Sequence, residues 1–236
     1  STIRRDLHCL SSAITFFCDL NDLDLNNPVQ RYLRRRAQQN ALKEADARKR
    51  YLSAKEEETL LASIRDRLPR NKKLLHLAEA VEFAIDTGLR SEEQFSLTWR
   101  DIDQRRGVVR VRAESAKGGK NARTVPLLER SAQIVAHLPR HISSPYVFHK
   151  PDGDRYMTRL DGFKTAAERA GVEDVIWHDL RRTTGCRRLQ DMGWSMEKVC
   201  MLLGHSSVVV TEKHYAFLEE EHIRGVGTKT GTSPAE

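Results

Sequence analysis

The sequence predicts an α+β fold, mostly helical, with a small antiparallel sheet. Three observations carry this. Apolar residues recur at helical spacing along most of the chain. Two β-branched stretches, "GVVRVR" at 107–112 and "ARTVPL" at 122–127, flank "ESAKGGKN", whose paired glycines suit a hairpin tip. With 39% hydrophobic and 31% charged residues, the chain of 236 residues can bury a core. It shows no apolar run near the ~18 residues of a membrane span and no secretion signal.

The elements follow in order. Leu7, Leu10, Ile14 and Phe17 predict a helix over 4–20, which ends in the turn-forming "NDLDLNNPVQ". The charged run between about 33 and 50 lacks a period and predicts a linker. Ser53 and Glu56 form a capping box for the helix that carries Leu60, Leu61 and Ile64. Leu74, Leu77, Ala78, Val81 and Ile85 mark the next helix, with Gly88 as its left-handed cap and a second capping box expected from Ser91 and Gln94. Leu89 and Arg90 are thereby confined to a tight helix-to-helix corner. After the hairpin come a helix near 129–138, a short strand at "YVF", and helices at 158–170, 179–192 and 196–203. The tail "GVGTKTGTSPAE" is too poor in apolar residues to fold alone.

Forty Lys and Arg against thirty-three Asp and Glu give a net charge of +7, clustered in "RYLRRR", "ARKR" and "RNKK". Clustered cations of this kind suit a phosphate-bearing partner. The four cysteines, Cys9, Cys18, Cys186 and Cys200, match neither a disulfide framework nor a metal pattern and are expected to be buried thiols.

Four segments taken together point to a chemistry. "TGLRSEEQFSLTWRDID", "KGGKNARTVPL", "HDLRRTTGCRRL" and "LLGHSSVVVTEKHYAFL" stand in the order of the signature segments of the tyrosine recombinase family, the phage integrases and Xer-like enzymes. The chain resembles that family over roughly residues 50–218. Residues 1–32 resemble the end of the family's helical core-binding domain, which implies a linker at 33–50, a catalytic domain at 51–218 and a tail at 219–236.

The resemblance implies Tyr215 as the nucleophile, forming a 3′-phosphotyrosyl link that preserves the bond energy of the broken phosphodiester. Arg90 and Arg181 are implied as bidentate donors to the phosphate, and His205 as a further hydrogen-bond donor. Loss of one such donor typically costs on the order of 100- to 1000-fold in rate. His178, three residues before Arg181, is implied as the proton acceptor from Tyr215 or a group that orients it. Lys117 is implied as the general acid for the leaving 5′-oxygen, with Lys120 as its rival. The spacing from Lys117 to Arg123 is one residue longer than in the Xer-like pattern. Glu93 matches the acidic position expected to orient the arginines or His178. Thr184 and Gly185 depart from the family's bulky apolar residue and Ala, a departure expected to touch packing rather than chemistry.

No cofactor or metal is expected, so cleavage should persist in chelator. The implied partners are double-stranded DNA recombination sites and three further copies of the chain in a tetramer, with an accessory DNA-bending protein as a further partner. The implied setting is the cytoplasm, on a bacterial, phage or other mobile element. The chain begins at Ser1 without a Met and carries little of the clamp domain, so it is expected to be a fragment that binds DNA weakly and with strong salt dependence. A type IB topoisomerase-like relaxing activity and a non-catalytic DNA-binding regulator remain the alternatives.

Overall fold

A computed structural model describes residues 2–38, 48–67, 76–112, 122–156 and 161–227. The chain forms two compact units, Ser1–Arg48 and Lys49–Glu236. The first holds α1 (Thr2–Leu20) and α2 (Pro28–Gln38). Asn27 joins them. Its carboxamide oxygen accepts from Val29 N at 3.0 Å as the cap of α2, while its amide donates to Ser11 O at 2.7 Å and Thr15 Oγ1 at 2.9 Å on α1. The linker expected from residue 33 is therefore helical as far as Gln38, and 39–47 lie outside the described residues.

The second unit runs α3 (Ala54–Arg67), α4 (Leu77–Thr87), α5 (Ser91–Phe95), β1 (Ile102–Asp103), β2 (Val108–Val111), β3 (Arg123–Pro126), α6 (Glu129–His137), α7 (Asp161–Arg169), α8 (Trp177–Gln190), α9 (Met196–Leu203) and α10 (Val208–Gly227). The sheet order is β1-β2-β3, antiparallel throughout, with Val109 opposite Val125 and Val111 opposite Arg123. Tyr146 makes only an isolated bridge to Thr98. The short strand expected at "YVF" is absent because its backbone is spent on single bonds from Trp99 N to Pro145 O and from Val147 N to Leu97 O, both 3.0 Å, with no continuing ladder.

Three apolar clusters hold this unit. Leu60, Leu61, Ile64, Val81, Ile85, Phe163 and Leu180 join α3, α4, α7 and α8. The opposite side of α4 gives Phe83 to a second cluster with Phe95, Phe148 and the sheet valines 109, 111 and 125. The third packs α8, α9 and α10 through Cys186, Val199, Leu203, Tyr215 and Phe217. α8 is thus buried from several sides although it is rich in polar residues. Its hydroxyls make this tolerable: Thr184 Oγ1 donates to Ile85 O at 2.7 Å, and Thr183 Oγ1 accepts from Leu52 N at 2.9 Å. Arg188 donates to Asp86 O at 2.7 Å, fixing α8 to α4 again.

Local signals set the ends of the helices that position the site. The Ser53 and Glu56 box forms as expected, with Ser53 N donating to Glu56 Oε2 at 2.9 Å and Glu56 N to Ser53 Oγ at 3.2 Å. Gly88 caps α4 in the left-handed region at φ 64°. The second box does not fall on Ser91 and Gln94. Arg90 is the cap residue of α5, and Glu93 Oε2 accepts from its backbone N at 2.8 Å. Gln94 is instead turned inward, donating to Ala80 O at 2.8 Å. α10 continues through Gly227, so the first residues of the expected tail at 219–236 are helical. Cys18, Cys186 and Cys200 are buried thiols outside any disulfide, whereas Cys9 is exposed on α1, contrary to the expectation for it. Among the described residues, no helix is long and apolar enough to cross a membrane.

Candidate active site

The site is built around the C-terminal end of α9. Three successive carbonyls there have no partner within the helix and accept from three different arginines. Leu202 O accepts from Arg123 Nε at 2.9 Å, Leu203 O from Arg181 Nη2, and Gly204 O from Arg90 Nη2 at 3.3 Å. The negative end of the helix dipole favours this gathering of cations. Arg181 also donates from Nη1 to Gly88 O at 2.6 Å, so the cap of α4 and the end of α9 meet on one guanidinium.

Glu93 is the counter-charge beneath this cluster. Its carboxylate is fully buried and bridges two arginines: Oε1 accepts from Arg90 Nη1 at 2.8 Å and Arg123 Nη1 at 2.9 Å, and Oε2 from Arg123 Nη2 at 2.7 Å. Burial alone would raise its pKa. The bond and charge of Arg123, then the backbone and charge of Arg90, outweigh that and hold it at about 2. Glu93 stays ionised, and the trio carries a net +1.

Arg181 is only 3% exposed. Burial and the neighbouring Arg90 push its pKa down to about 9, which leaves it charged at neutral pH. Two carbonyls satisfy some of its donors, but among the described residues no carboxylate bonds to it directly, so an incoming phosphate would supply the missing charge.

Both expected histidines lie in this field. His205 follows Gly204, whose φ of 64° turns the chain out of α9. Its Nδ1 is 2.8 Å from Thr211 Oγ1 on α10. Desolvation and then Arg181, His214 and Arg90 lower its pKa to about 3. In the tautomer whose Nδ1 accepts from the Thr211 hydroxyl, the proton of the neutral ring sits on Nε2, ready to donate. His178, on the first turn of α8, keeps an exposed edge, yet its packed surroundings and the charges of Arg181 and Arg182 lower it to about 4. A neutral His178 can accept a proton.

His178, Arg181 and Gly185 occupy one stripe of α8 at spacings of three and four. The hydroxyl of Tyr215 closes that stripe. A Cβ placed on Gly185 would lie 2.1 Å from Tyr215 Oη and 2.3 Å from its Cζ. The departure at Gly185 therefore bears on the expected nucleophile itself, and the expectation that it touched packing alone is corrected. Tyr215 is 3% exposed, and burial pushes its pKa up against the smaller downward pull of Arg181.

The structure thus brings together Arg90, Glu93, Arg181, His205 and Tyr215, with His178 on the same stripe of α8. Lys117 and Lys120 lie outside the described residues. Sequence reasoning assigned no role to Arg123 and none to Thr211. Arg123 stands in the quoted "KGGKNARTVPL" segment, but its partners are thirty and more residues away, and no local pattern reveals them. Among the described residues, no group of three or more His, Cys, Asp or Glu is arranged to hold a metal ion.

A model of the phage integrase family matches residues 50–222. The chain belongs to that family. Among curated relatives it is 30% identical over 173 residues to the integrase of Salmonella phage P22, covering 66% of this chain and 44% of that protein. It is 33% identical over 154 residues to the tyrosine recombinase XerD of Shewanella oneidensis, covering 61% of this chain and 48% of that protein. The chain thus spans less than half the length of these integrase-family relatives. Among solved structures, the Tn1549 transposon integrase in complex with a circular intermediate DNA superposes with a TM-score of 0.68 at 21% identity, covering 94% of this chain and 79% of that one. The catalytic domain of bacteriophage HP1 integrase superposes with a TM-score of 0.55 at 22% identity, covering 79% of this chain and 98% of that one. These likenesses establish a mostly helical integrase-type catalytic fold with a small antiparallel sheet.

Proposed function

We propose that the protein is a site-specific DNA recombinase that cleaves and rejoins DNA through a 3′-phosphotyrosyl intermediate and a Holliday junction. The observation that carries this reading is the convergence of Arg90, Arg181 and His205 on the end of α9, with the Tyr215 hydroxyl on the same α8 stripe as Arg181. A scissile phosphate bound there meets two forked donors and a neutral His205 that donates from Nε2. Tyr215 Oη attacks phosphorus, its proton passes to His178, and the 5′-oxygen leaves as a hydroxyl with a proton from Lys117 or Lys120. Attack of a 5′-hydroxyl from a partner strand reverses these steps and restores the tyrosine. The functional unit is a homotetramer on two DNA sites, aided by an accessory DNA-bending protein, in the cytoplasm of a cell carrying the mobile element.

The test pairs the protein with DNA from the ends of its own element and, separately, with a supercoiled plasmid lacking such ends. Recombinase activity yields junctions and exchanged strands on the first alone. Relaxation of the second without exchange would instead establish the topoisomerase-like reading.

A further inference from the structure

Arg123 is held at the site by every part of its fork. The guanidinium pairs bidentately with Glu93, its Nε donates to Leu202 O, and its side chain is only 9% exposed. It also lies flat under Gly204: a Cβ on that glycine would come within 2.9 Å of Arg123 Cδ and Nη1. The forked face of this guanidinium is already taken by a carboxylate that answers its charge, and its Nε by a carbonyl, which leaves it poorly placed to bind a DNA phosphate, in contrast to Arg181, whose shown bonds are to carbonyls. What it touches is informative. Glu93 holds Arg90 by side chain and backbone, and Gly204 precedes His205. Arg123 also begins β3, three and six residues after Lys120 and Lys117 in the sequence.

We propose that Arg123 is a positioning residue of the site, fixing Arg90 through Glu93 and His205 through Gly204 without itself contacting DNA. The role rests on the recombinase reading for the reaction it serves, but the clamp also has consequences that need no DNA. Without Arg123, Glu93 remains desolvated and loses the partner that most strongly holds it ionised. Its carboxyl then takes up a proton at mildly acidic pH, and a neutral Glu93 no longer fixes the Arg90 fork. Misplacement of such a donor by about 1 Å costs on the order of 100-fold in rate.

The experiment measures covalent cleavage of nicked DNA at saturating protein by wild type, R123Q, R123K and R123Q/E93Q. R123Q should cleave roughly 10- to 100-fold more slowly, with DNA affinity and its salt dependence unchanged. Its rate should fall further between pH 7 and 5, an acid limb absent from wild type and from R123Q/E93Q. R123K, which keeps the charge and loses the fork, should lie between, and it serves in place of R123Q if that variant does not fold. Weakened DNA binding with a shallower salt slope at an unchanged saturated rate would overturn the proposal by making Arg123 a phosphate ligand. So would a saturated rate matching wild type. If wild type itself forms no adduct, the recombinase reading fails, and thermal unfolding decides the clamp. The stability Glu93 gives wild type holds down to about pH 4.5 and is lost only toward about 2. The deficit of R123Q should therefore narrow from pH 7 to 5 as its carboxyl protonates, and a deficit that stays constant would overturn the clamp.

Discussion

His178 and His205 each sit where desolvation and neighbouring guanidiniums favour the neutral form, whereas burial keeps Tyr215 neutral against the opposing pull of Arg181 and Arg182. For the histidines this gives a signed prediction. The unfolded chain binds a proton near the ordinary value of 6.5, whereas the folded chain does so only near 4 for His178 and near 3 for His205. The stability tied to the neutral ring is fully present above pH 6.5 and is lost as pH falls toward those values. Thermal unfolding from pH 7 to 4 should show H205Q losing stability less steeply than wild type; equal slopes would remove His205 from the charged cluster. These residues stood out as candidates in the sequence because four separate segments stand in the family's order. Their electrical state was not, since it depends on Arg90 and Arg181 being brought to the same helix end by α5 and α8.

At the scale of elements, the junction of α8 with α10 makes the sharpest steric statement. Gly185 lies inside a helix, where Ala would ordinarily stabilise by about 0.5 to 1 kcal/mol. Here the Tyr215 ring fills the space of that Cβ. G185A should therefore lower the melting temperature of the wild-type chain and raise that of Y215A, measured as a double-mutant cycle. Additive effects would show that the two residues do not touch. Local signals read well at this scale: the Ser53 box and the cap at Gly88 depend on a few adjacent residues, and both formed as expected. Ser91 misled because Glu93 competes for the same cap and wins, accepting from Arg90 N while Gln94 turns toward Ala80. "YVF" misled because β-branched and aromatic character cannot tell a lone bridge from a strand. The contact between Gly185 and Tyr215 spans thirty residues, and nothing in the periodicity of either helix announces it.

Across the whole molecule, the two units are built on different terms. α1 leaves Ile3, Phe16, Phe17 and Leu20 exposed, whereas the second unit encloses its cores and gathers its arginines at one helix end. The class of fold was legible from helical spacing and one hairpin. The order of packing was not, because α8 is buried by polar contacts rather than by an apolar stripe. On the recombinase reading, this gathering of arginines serves a tyrosine nucleophile. The most direct test uses DNA nicked beside the crossover point, in the presence of chelator, with wild type and Y215F compared for a detergent-stable protein-DNA adduct. The recombinase reading requires an adduct at the 3′ end from wild type and none from Y215F, with DNA binding retained by both. An adduct that survives in Y215F, or tight binding without an adduct from wild type, would contradict it.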